Sequence, residues 1–326
     1  MQEIIRPVER EALKRELVPG KRLRKTNKSD NEIYIVTAQD SPCVMQEIGR
    51  LREIAFRHYG GGTGLSADID SFDTMENAYR QLIVWSPRNE EILGGYRFLC
   101  GTDVRYDANG KPLLATAHLF NFTARFLNDY LPYTVELGRS FVSVDYQATL
   151  SSSKSIFILD NLWDGLGALT VIAPDLKYFY GKMTMYNTYN VEARNMILYF
   201  LNKHFPDTEG LVEPVYPLET DMNREEMRRL FRHEHYRDNY KILNREVRRR
   251  GINVPPLVNA YMNLSPRMRV FGTAVNHEFG DVEETGILIA ISEILEEKKK
   301  RHIETYLKEL NDCESKQQAF PGLSTV

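Results

Sequence analysis

Cysteine is scarce in this sequence. Its 326 residues include three, Cys43, Cys100 and Cys313, an odd number at wide spacing with no C-x-x-C pair. A disulfide framework or a structural zinc site needs cysteines at close, regular spacing, so both are disfavoured. We expect free thiols in a reducing, cytoplasmic compartment and no bound metal.

Long apolar runs are missing too. The longest, residues 286–291, is far shorter than the roughly 20 residues that a membrane-spanning helix needs. The opening segment, MQEIIRPVEREALKRE, has no apolar core of the kind that marks a signal peptide. We expect a protein without a membrane span, which at most lies on the inner surface of the membrane.

The sequence also lacks a marked excess of either charge. Its formal net charge of -3 disfavours a strongly basic nucleic-acid-binding protein. Two segments are nevertheless locally basic. Residues 1–30 are expected to form a basic arm or an exposed helix, and residues 224–250 contain ten basic and five acidic side chains. The simplest interpretation of the second segment is a solvated helix face.

What is present is an alternation of strand and helix patterns. Apolar runs predict strands at 33–38, 81–86, 92–100, 135–144, 182–186, 267–279 and 285–292. Helical spacing of apolar residues predicts helices at 44–59, 156–170 and 191–203, and a charged C-terminal helix at about 293–311. We therefore predict an α/β fold in one domain, residues 31–326, with a helical insertion at about 219–265.

The strand at 135–144 carries the first candidate site. Strict alternation would place Leu137 and Arg139 on the same face, which makes a poor core face. A β-bulge at Gly138 instead separates an apolar face from a face that carries Glu136 and Arg139, and glycine favours bulges. The unpaired backbone N–H groups of a bulge can stabilise the oxyanion of a thioester carbonyl. An ordinary strand with a surface ion pair is the alternative.

A second candidate site lies at residues 149–155, TLSSSKS, which open the helix predicted at 156–170. Hydroxyl groups and a lysine at a helix N-terminus suit a phosphate group, because free N–H groups and the helix dipole attract an anion there. A serine-rich helix cap is the commoner interpretation of such a segment.

Several motifs, taken in order, give the sequence a family resemblance. They are LRxxAF at 51–56, DxxD at 70–73, YR at 96–97, ExxRS at 136–140, and later VPPLVNAYMNL and FGTAVNHEFGD. In this order they resemble the GNAT superfamily of N-acyltransferases. Within it they resemble the branch of ornithine-lipid and glycine-lipid N-acyltransferases, often labelled hemolysin-like, and the related acyl-homoserine lactone synthases. The resemblance covers residues 33–305 and implies a GNAT-like mixed central sheet flanked by helices.

The resemblance implies an enzyme that acylates the α-amine of a small amino acid. Glu136 is the candidate base, and Arg139 and Asp73 are further catalytic candidates. An acceptor carboxylate calls for an arginine, and the candidate acceptor-binding residues are Arg52, Phe56, Asp70 and Arg97. The candidate donor-binding residues are Gly138, Ser140, Phe141, Val142, Ser152, Ser153 and Lys154. Structural salt bridges are the alternative role for the aspartates and arginines.

One absence separates the sequence from typical GNAT enzymes. Those enzymes carry a glycine-rich loop for the pyrophosphate of coenzyme A, whereas residues 145–155 contain no glycine. The phosphopantetheine arm of acyl carrier protein has no pyrophosphate. We therefore expect acyl carrier protein, in preference to coenzyme A, as the acyl donor, with no separate cofactor. The basic segments 1–30 and 224–250 then predict docking of this acidic carrier, or of anionic lipid headgroups.

Glycine is the favoured acceptor, because the sequence looks closer to the glycine-lipid proteins, and ornithine is the other candidate. The expected reaction transfers a fatty acyl group, with or without a 3-hydroxyl group, as the first step of amino-acid lipid synthesis. A lactone-type signal synthase is one alternative, although the helical insertion and the C-terminal half weigh against it. A non-enzymatic, membrane-acting protein is the other, as the hemolysin label suggests, although no pore-forming amphipathic helix is evident.

Overall fold

Strands form two sheets in the part of the chain that the structure describes, residues 1–147 and 153–319 of a computed structural model. The strands are β1 (Arg22–Lys25), β2 (Glu32–Val36), β3 (Arg80–Ser86), β4 (Glu91–Cys100), β5 (Phe120–Phe122), β6 (Thr134–Val142), β7 (Tyr178–Met185), β8 (Val212–Pro214), β9 (Arg269–Asn276) and β10 (Val282–Ala290). The main sheet has the order β1-β2-β3-β4-β6-β7-β10-β9, and β5 pairs separately with β8.

The helices lie between and after these strands. They are α1 (Arg10–Glu16), α2 (Pro42–Arg57), α3 (Ser71–Thr74), α4 (Val144–Gln147), α5 (Ser153–Ile172), α6 (Val191–His204), α7 (Arg224–Leu230), α8 (Tyr236–Arg249), α9 (Pro256–Met262), α10 (Glu296–Lys299) and α11 (Thr305–Ala319). Short π-helical turns occur at Phe126–Tyr130 and Lys300–Glu304. Short 3-10 turns occur at Pro19–Lys21, Gly101–Asp103, Leu131–Tyr133, His277–Phe279 and Ile291–Glu293.

Neighbouring strands of the main sheet run antiparallel except for β6 and β7, which are parallel. Parallel neighbours need a crossover connection, and α5 supplies it between these two strands. The predicted mixed α/β sheet with flanking helices is confirmed. The predicted strands correspond to β2, β3, β4, β6, β7, β9 and β10, while β1 and the small β5–β8 sheet were not predicted.

Apolar side chains cover both faces of the main sheet. On one face, α5 and α6 pack against the strands, and Leu162 and Leu166 of α5 are fully buried, as predicted for a helix that is apolar nearly all round. On the opposite face, α2 packs through Val44 and Ile48. The functional side chains described below lie on this second face, which therefore combines an apolar border with a charged centre.

Residues 1–30, predicted to form a basic arm or an exposed helix, contain the helix α1 and the strand β1 and are docked on the rest of the fold. Leu13 and Leu17, one helical turn apart, are buried against α2, and residues 22–25 form the edge strand of the main sheet. Arg24 is itself buried, and its guanidinium donates to the backbone oxygens of Lys25 and His302. The charged residues outnumber the apolar ones here, but the few apolar residues are correctly spaced to dock.

The helical insertion at 219–265 contains α7, α8 and α9, as predicted. The polar stretch 221–250 is not one continuous helix, because the chain turns at Phe231, whose side chain is fully buried. The C-terminal helical region begins at Glu296 and continues to Ala319, beyond the predicted end at 311. Among the helices of residues 1–147 and 153–319, none has the length and apolar character required to cross a membrane.

Candidate active site

The parallel strands β6 and β7 part from one another after a short stretch of pairing. The pairing joins Thr134 to Tyr178 and ends at Glu136 and Tyr180. At the next position the strands are still close, since a Cβ on Gly181 would lie 2.8 Å from the carbonyl oxygen of Leu137. Beyond this point β6 pairs with β4 alone among the described residues. A cleft therefore opens between the two strands, and the backbone edge of β6 faces it.

A β-bulge interrupts β6 where the cleft opens. The register with β4 changes from Arg97–Gly138 to Gly95–Phe141, so that Arg139 and Ser140 together oppose a single residue of β4. Arg139 adopts φ 49°, in the left-handed region. The predicted bulge beside Gly138 is thus confirmed, although the residue with positive φ is the arginine and not the glycine.

The bulge sorts the side chains of β6 as predicted. Leu137 and Val142 pack into the core beneath α5. Phe141 packs on the opposite side, against α2. Glu136 and Arg139 share that opposite side, because their partners there include Tyr79 and Phe279 respectively. The two candidate catalytic side chains consequently lie on the same face of the sheet.

Arg139 is held at the mouth of the cleft by two carboxylates and an aromatic ring. Its Nε lies 2.9 Å from a carboxylate oxygen of Asp68, and its Nη2 lies 3.6 Å from Asp70. Its guanidinium stacks on Phe279, 4.3 Å from the ring centre, and Phe56 packs edge-on against the same ring. Phe56, predicted to contact substrate, thus packs against the ring on which Arg139 stacks.

Lys182 lies on the other wall of the cleft, and sequence reasoning missed it. Its ammonium donates to Glu284, which is buried on β10 and also accepts from Thr184. Burial lowers the pKa of Lys182, Glu284 opposes this shift, and the positive charge of Arg139 lowers it further. Lys182 follows Tyr180 by two residues and Arg139 follows Glu136 by three, so both cations lie just beyond the last paired positions of the two strands.

Glu136 occupies the closed, inner end of the cleft. Only 2% of the residue is exposed. Tyr79 donates to one carboxylate oxygen, and both the backbone N–H and the hydroxyl of Thr116 donate to the other. Burial raises the pKa of Glu136, while these hydrogen bonds and the charge of Arg97 act in the opposite direction. A carboxyl group with a raised pKa suits a general base that works near neutral pH.

The other predicted charged residues form a buried network behind the cleft. Arg52 and Asp73 are both fully buried and lie 3.2 Å apart, and Arg52 also donates to Gln81. Arg97 donates to Asp70 at 2.7 Å and lies 3.4 Å from Asp73. Burial opposes ionisation of Asp73, but the charges of Arg52 and Arg97 outweigh it and hold its pKa below the usual range.

This network corrects three of the predicted roles. Asp73 is unsuited to act as a base, because its carboxylate is buried, already accepts from Gln81, and has a lowered pKa. Arg52 is enclosed by Asp73 and Gln81 and does not reach the cleft. Arg97 is buried between Asp70 and Asp73, so it orients them and does not bind an acceptor carboxylate directly.

The predicted donor-binding residues fall into two groups. Gly138 and Ser140 flank the bulge, whereas the side chains of Phe141 and Val142 are buried in the core, so these two can meet a donor only through their backbone. Ser152 lies outside the described residues. Ser153 and Lys154 open α5, the crossover helix that follows the bulged strand. The phosphate-binding role of this segment stays a prediction.

The residues that sequence reasoning missed are Asp68, Tyr79, Thr116, Lys182 and Glu284. A charged residue within an otherwise apolar strand, as in FYGKMTM or VEETGIL, was an available signal for the last two. The residues described contain no group of three His, Cys, Asp or Glu side chains that could hold a metal ion. The polar groups described on this face are carboxylates, arginines, a lysine and hydroxyl groups.

Comparison with known proteins bears on the family of the chain. The model of the acetyltransferase (GNAT) domain matches residues 51–154, a span that includes the bulged strand β6. A glycine N(alpha)-acyltransferase of Phocaeicola vulgatus is 63% identical over 95% of both chains. One from Bacteroides thetaiotaomicron is 61% identical over 100% of this chain and 98% of its own.

The chain belongs to the glycine N(alpha)-acyltransferase family. It is accordingly an acyltransferase with a GNAT domain, and the resemblance inferred from the motifs is confirmed. The prediction of an enzyme is confirmed as well, in place of a non-enzymatic membrane-acting protein.

Two solved structures are more distant neighbours of this family member. FeeM, an N-acyl amino acid synthase from uncultured soil microbes, is 8% identical with a TM-score of 0.40, over 82% of this chain and 94% of its own. The AHL synthase LasI is 14% identical with a TM-score of 0.31, over 48% of this chain and 74% of its own. Similarities this weak support no conclusion about the substrate.

Proposed function

We propose that this enzyme transfers a fatty acyl group from the thioester of acyl carrier protein to the α-amine of glycine. The product would be an N-acylglycine, as the first step of amino-acid lipid synthesis. The names of the two close relatives support glycine as the acceptor. The observation that carries the proposal is the cleft between β6 and β7, with a buried carboxylate at its inner end and two cations at its mouth.

The donor thioester would lie along the open edge of β6. Beyond Glu136 this edge is not paired with β7, and the bulge at Arg139 and Ser140 breaks the regular ladder. Backbone N–H groups turned toward the cleft would bind the thioester carbonyl and stabilise the oxyanion that forms during attack. A pantetheine arm is extended and amide-containing, so it fits beside a strand edge as a peptide would.

The charges beside the cleft favour an acceptor with a single ammonium group. The two cations at the cleft, Arg139 and Lys182, pair with Asp68 and Glu284. Glycine brings one ammonium group, for which Glu136 is the proposed proton acceptor. Ornithine would add a second ammonium group, and Asp68, Asp70 and Glu284 already pair with an arginine or a lysine, so this ammonium would be desolvated without a partner.

Glu136 would accept the proton that the acceptor ammonium must lose before attack. The free amine then attacks the thioester carbonyl carbon, the carbon–sulfur bond breaks, and an amide bond forms. The departing thiolate takes up one proton, and the remaining proton leaves Glu136 for solvent. Because Glu136 is enclosed, this transfer runs through its hydrogen-bonded neighbours Thr116 or Tyr79, or through a water molecule.

One assay tests donor and acceptor together. Purified enzyme is incubated with a 3-hydroxy fatty acyl chain carried either by acyl carrier protein or by coenzyme A, and with glycine, ornithine, alanine or serine. Mass spectrometry should detect N-acylglycine as the main product, formed much faster from the carrier protein. Equal use of coenzyme A, a preference for ornithine, or a lactone product would each contradict the proposal.

A further inference from the structure

Lys182 is the charged group of the cleft to which no role has been assigned. It lies within β7, an otherwise apolar strand, and its side chain is 12% exposed. The Arg139 side chain on the facing wall is 13% exposed. Both cations are therefore nearly enclosed, and each retains a small accessible surface.

The anchoring of the two cations is similar. Lys182 is held by Glu284, and Arg139 is held through its Nε by Asp68; both of these carboxylates are essentially buried. In each case the anchoring carboxylate comes from another element of the fold, β10 for Lys182 and the segment after α2 for Arg139. Such anchors fix the direction in which each cation points and reduce the entropy lost when a ligand binds.

Both cations retain hydrogen-bond donors that have no partner within the described residues. An ammonium group has three donors, and Lys182 uses one of them, toward Glu284. The terminal nitrogens of Arg139 make no hydrogen bond there, and the nearest carboxylate oxygen, on Asp70, lies 3.6 Å from Nη2. Donors with no partner in a nearly enclosed cleft indicate a place for an anionic ligand.

We infer that Lys182 is a specificity-determining residue, which together with Arg139 binds the α-carboxylate of the acceptor amino acid. The inference rests on the proposed function, because it requires an amino acid as acceptor. A carboxylate between the two cations would receive hydrogen bonds from both walls of the cleft. It would also offset the unfavourable effect that the positive charge of Arg139 has on the charged form of Lys182.

This assignment gives the mouth and the inner end of the cleft different roles in acceptor binding. The carboxylate of the acceptor would be held at the mouth, and its α-amine would point inward, toward Glu136 and the thioester. Glu284 would act as a positioning residue, since it touches Lys182 and not the substrate. The enzyme would then select α-amino acids over simple amines by the charge of their carboxylate.

The test compares acceptors that differ only in this carboxylate. KM and kcat are measured for glycine and for glycinamide with wild-type enzyme, Lys182→Met, Lys182→Arg and the control Lys177→Met. Lys177 is exposed near the start of the same strand, where it stacks on Tyr133, away from the cleft. We expect Lys182→Met to raise KM for glycine roughly 10- to 100-fold with little change in kcat, the scale of a lost charge-assisted contact. KM for glycinamide should stay the same, and Lys182→Arg should restore part of the glycine affinity.

Loss of Lys182 leaves Glu284 buried without a cationic partner, so the single variant is accompanied by the double variant Lys182→Met/Glu284→Gln, which keeps the charge balance. Calorimetric titration of glycine and glycinamide into each folded variant provides a readout that does not need turnover. An equal rise in KM for both acceptors, a rise in KM for the acyl donor instead, or unchanged glycine binding would overturn the inference. Wild-type enzyme that binds glycine through Lys182 but does not acylate it would overturn the proposed function alone.

Discussion

Glu136 lies directly opposite Tyr180, at the last paired position of β6 and β7 before these strands part. The carboxylate of Glu136 is buried there, with Tyr79 and Thr116 as its hydrogen-bond partners. The point at which the sheet opens is thus also the point at which an ionisable group is removed from water. Glu136 can therefore serve as a base beside the unpaired edge of β6, which can bind the acyl donor.

Replacing Glu136 with glutamine should remove the base while preserving shape and hydrogen bonding. We expect turnover of Glu136→Gln to fall roughly a hundredfold or more, the usual scale for a general base. Raising the pH should restore part of the rate, because more of the acceptor amine is then already deprotonated. Steady-state rates between pH 6 and about 9.5, with circular dichroism to verify folding, test this. Wild-type rates in the variant at neutral pH would show that the base lies elsewhere.

Replacing Tyr79 with phenylalanine should alter the pH dependence of the enzyme. The phenol donates to Glu136, and this hydrogen bond lowers the pKa that burial raises. Its loss should raise that pKa further, so that the acidic limb of the pH–rate profile moves to higher pH. The backbone N–H of Ala115 also loses its acceptor, which should cost about 1–3 kcal/mol of stability.

Tyr34→Phe is a matched control for this variant. Tyr34 likewise donates to a carboxylate, that of Glu32, on β2, which lies between β1 and β3 and away from the cleft. The control should leave the pH–rate profile unchanged. If Tyr79→Phe also left the acidic limb unchanged, Glu136 would not be the group that titrates in it.

Asp73 should matter for stability more than for the chemical step. In Asp73→Asn the fully buried guanidinium of Arg52 loses its anionic partner, which should lower the free energy of unfolding by about 3–5 kcal/mol. Urea denaturation measures this loss. Glu225, which forms an exposed ion pair with Arg228, gives a control. Glu225→Gln should lower the free energy of unfolding by less than about 1 kcal/mol. A nearly unchanged free energy of unfolding in Asp73→Asn would show that the network is not stabilising.

The lowered pKa of Asp73 also predicts how wild-type stability depends on pH. The unfolded protein binds a proton at this residue near its ordinary pKa, whereas the folded protein resists protonation to lower pH. The contribution of Asp73 is therefore fully present above about pH 4 and is lost as the pH falls further. Asp73→Asn should show a shallower loss of stability over the same acidic range.

The basic surface of α7 should matter for the carrier protein and not for the chemistry. The side chains of Arg228 and Arg229 are 75% and 79% exposed, and Arg232 is exposed just after the helix. Reversing these three charges to glutamate should slow turnover with acyl carrier protein, most strongly at low salt, and spare turnover with a short pantetheine thioester.

A matched triple variant keeps the change in net charge the same. Reversing Arg88, Lys111 and Lys308, which are also exposed, should leave turnover with the carrier protein unchanged. An equal loss with both donors in the α7 variant would indicate a role for these arginines in stability. An equal loss in both triple variants would indicate a general charge effect without a docking surface.

The sequence by itself determined the α/β alternation, the helical insertion and the bulge in β6. Each of these depends on local patterns: apolar period, turn residues, and the mismatch of alternation around Gly138. The placement of Glu136 and Arg139 on one face followed from the bulge. The order of the motifs was enough to indicate the family, because such motifs mark positions along one known fold.

Only the tertiary structure decided which charged residues reach the cleft. Arg52, Asp73 and Arg97 occur in the motifs just as Arg139 does, but packing of α2 and α3 against the sheet buries the first three and leaves Arg139 at the mouth. Lys182 comes to face Arg139 only because β7 lies beside β6, more than forty residues away in the chain. Burial and long-range pairing set both the reach and the pKa of such groups, and neither can be deduced from local sequence.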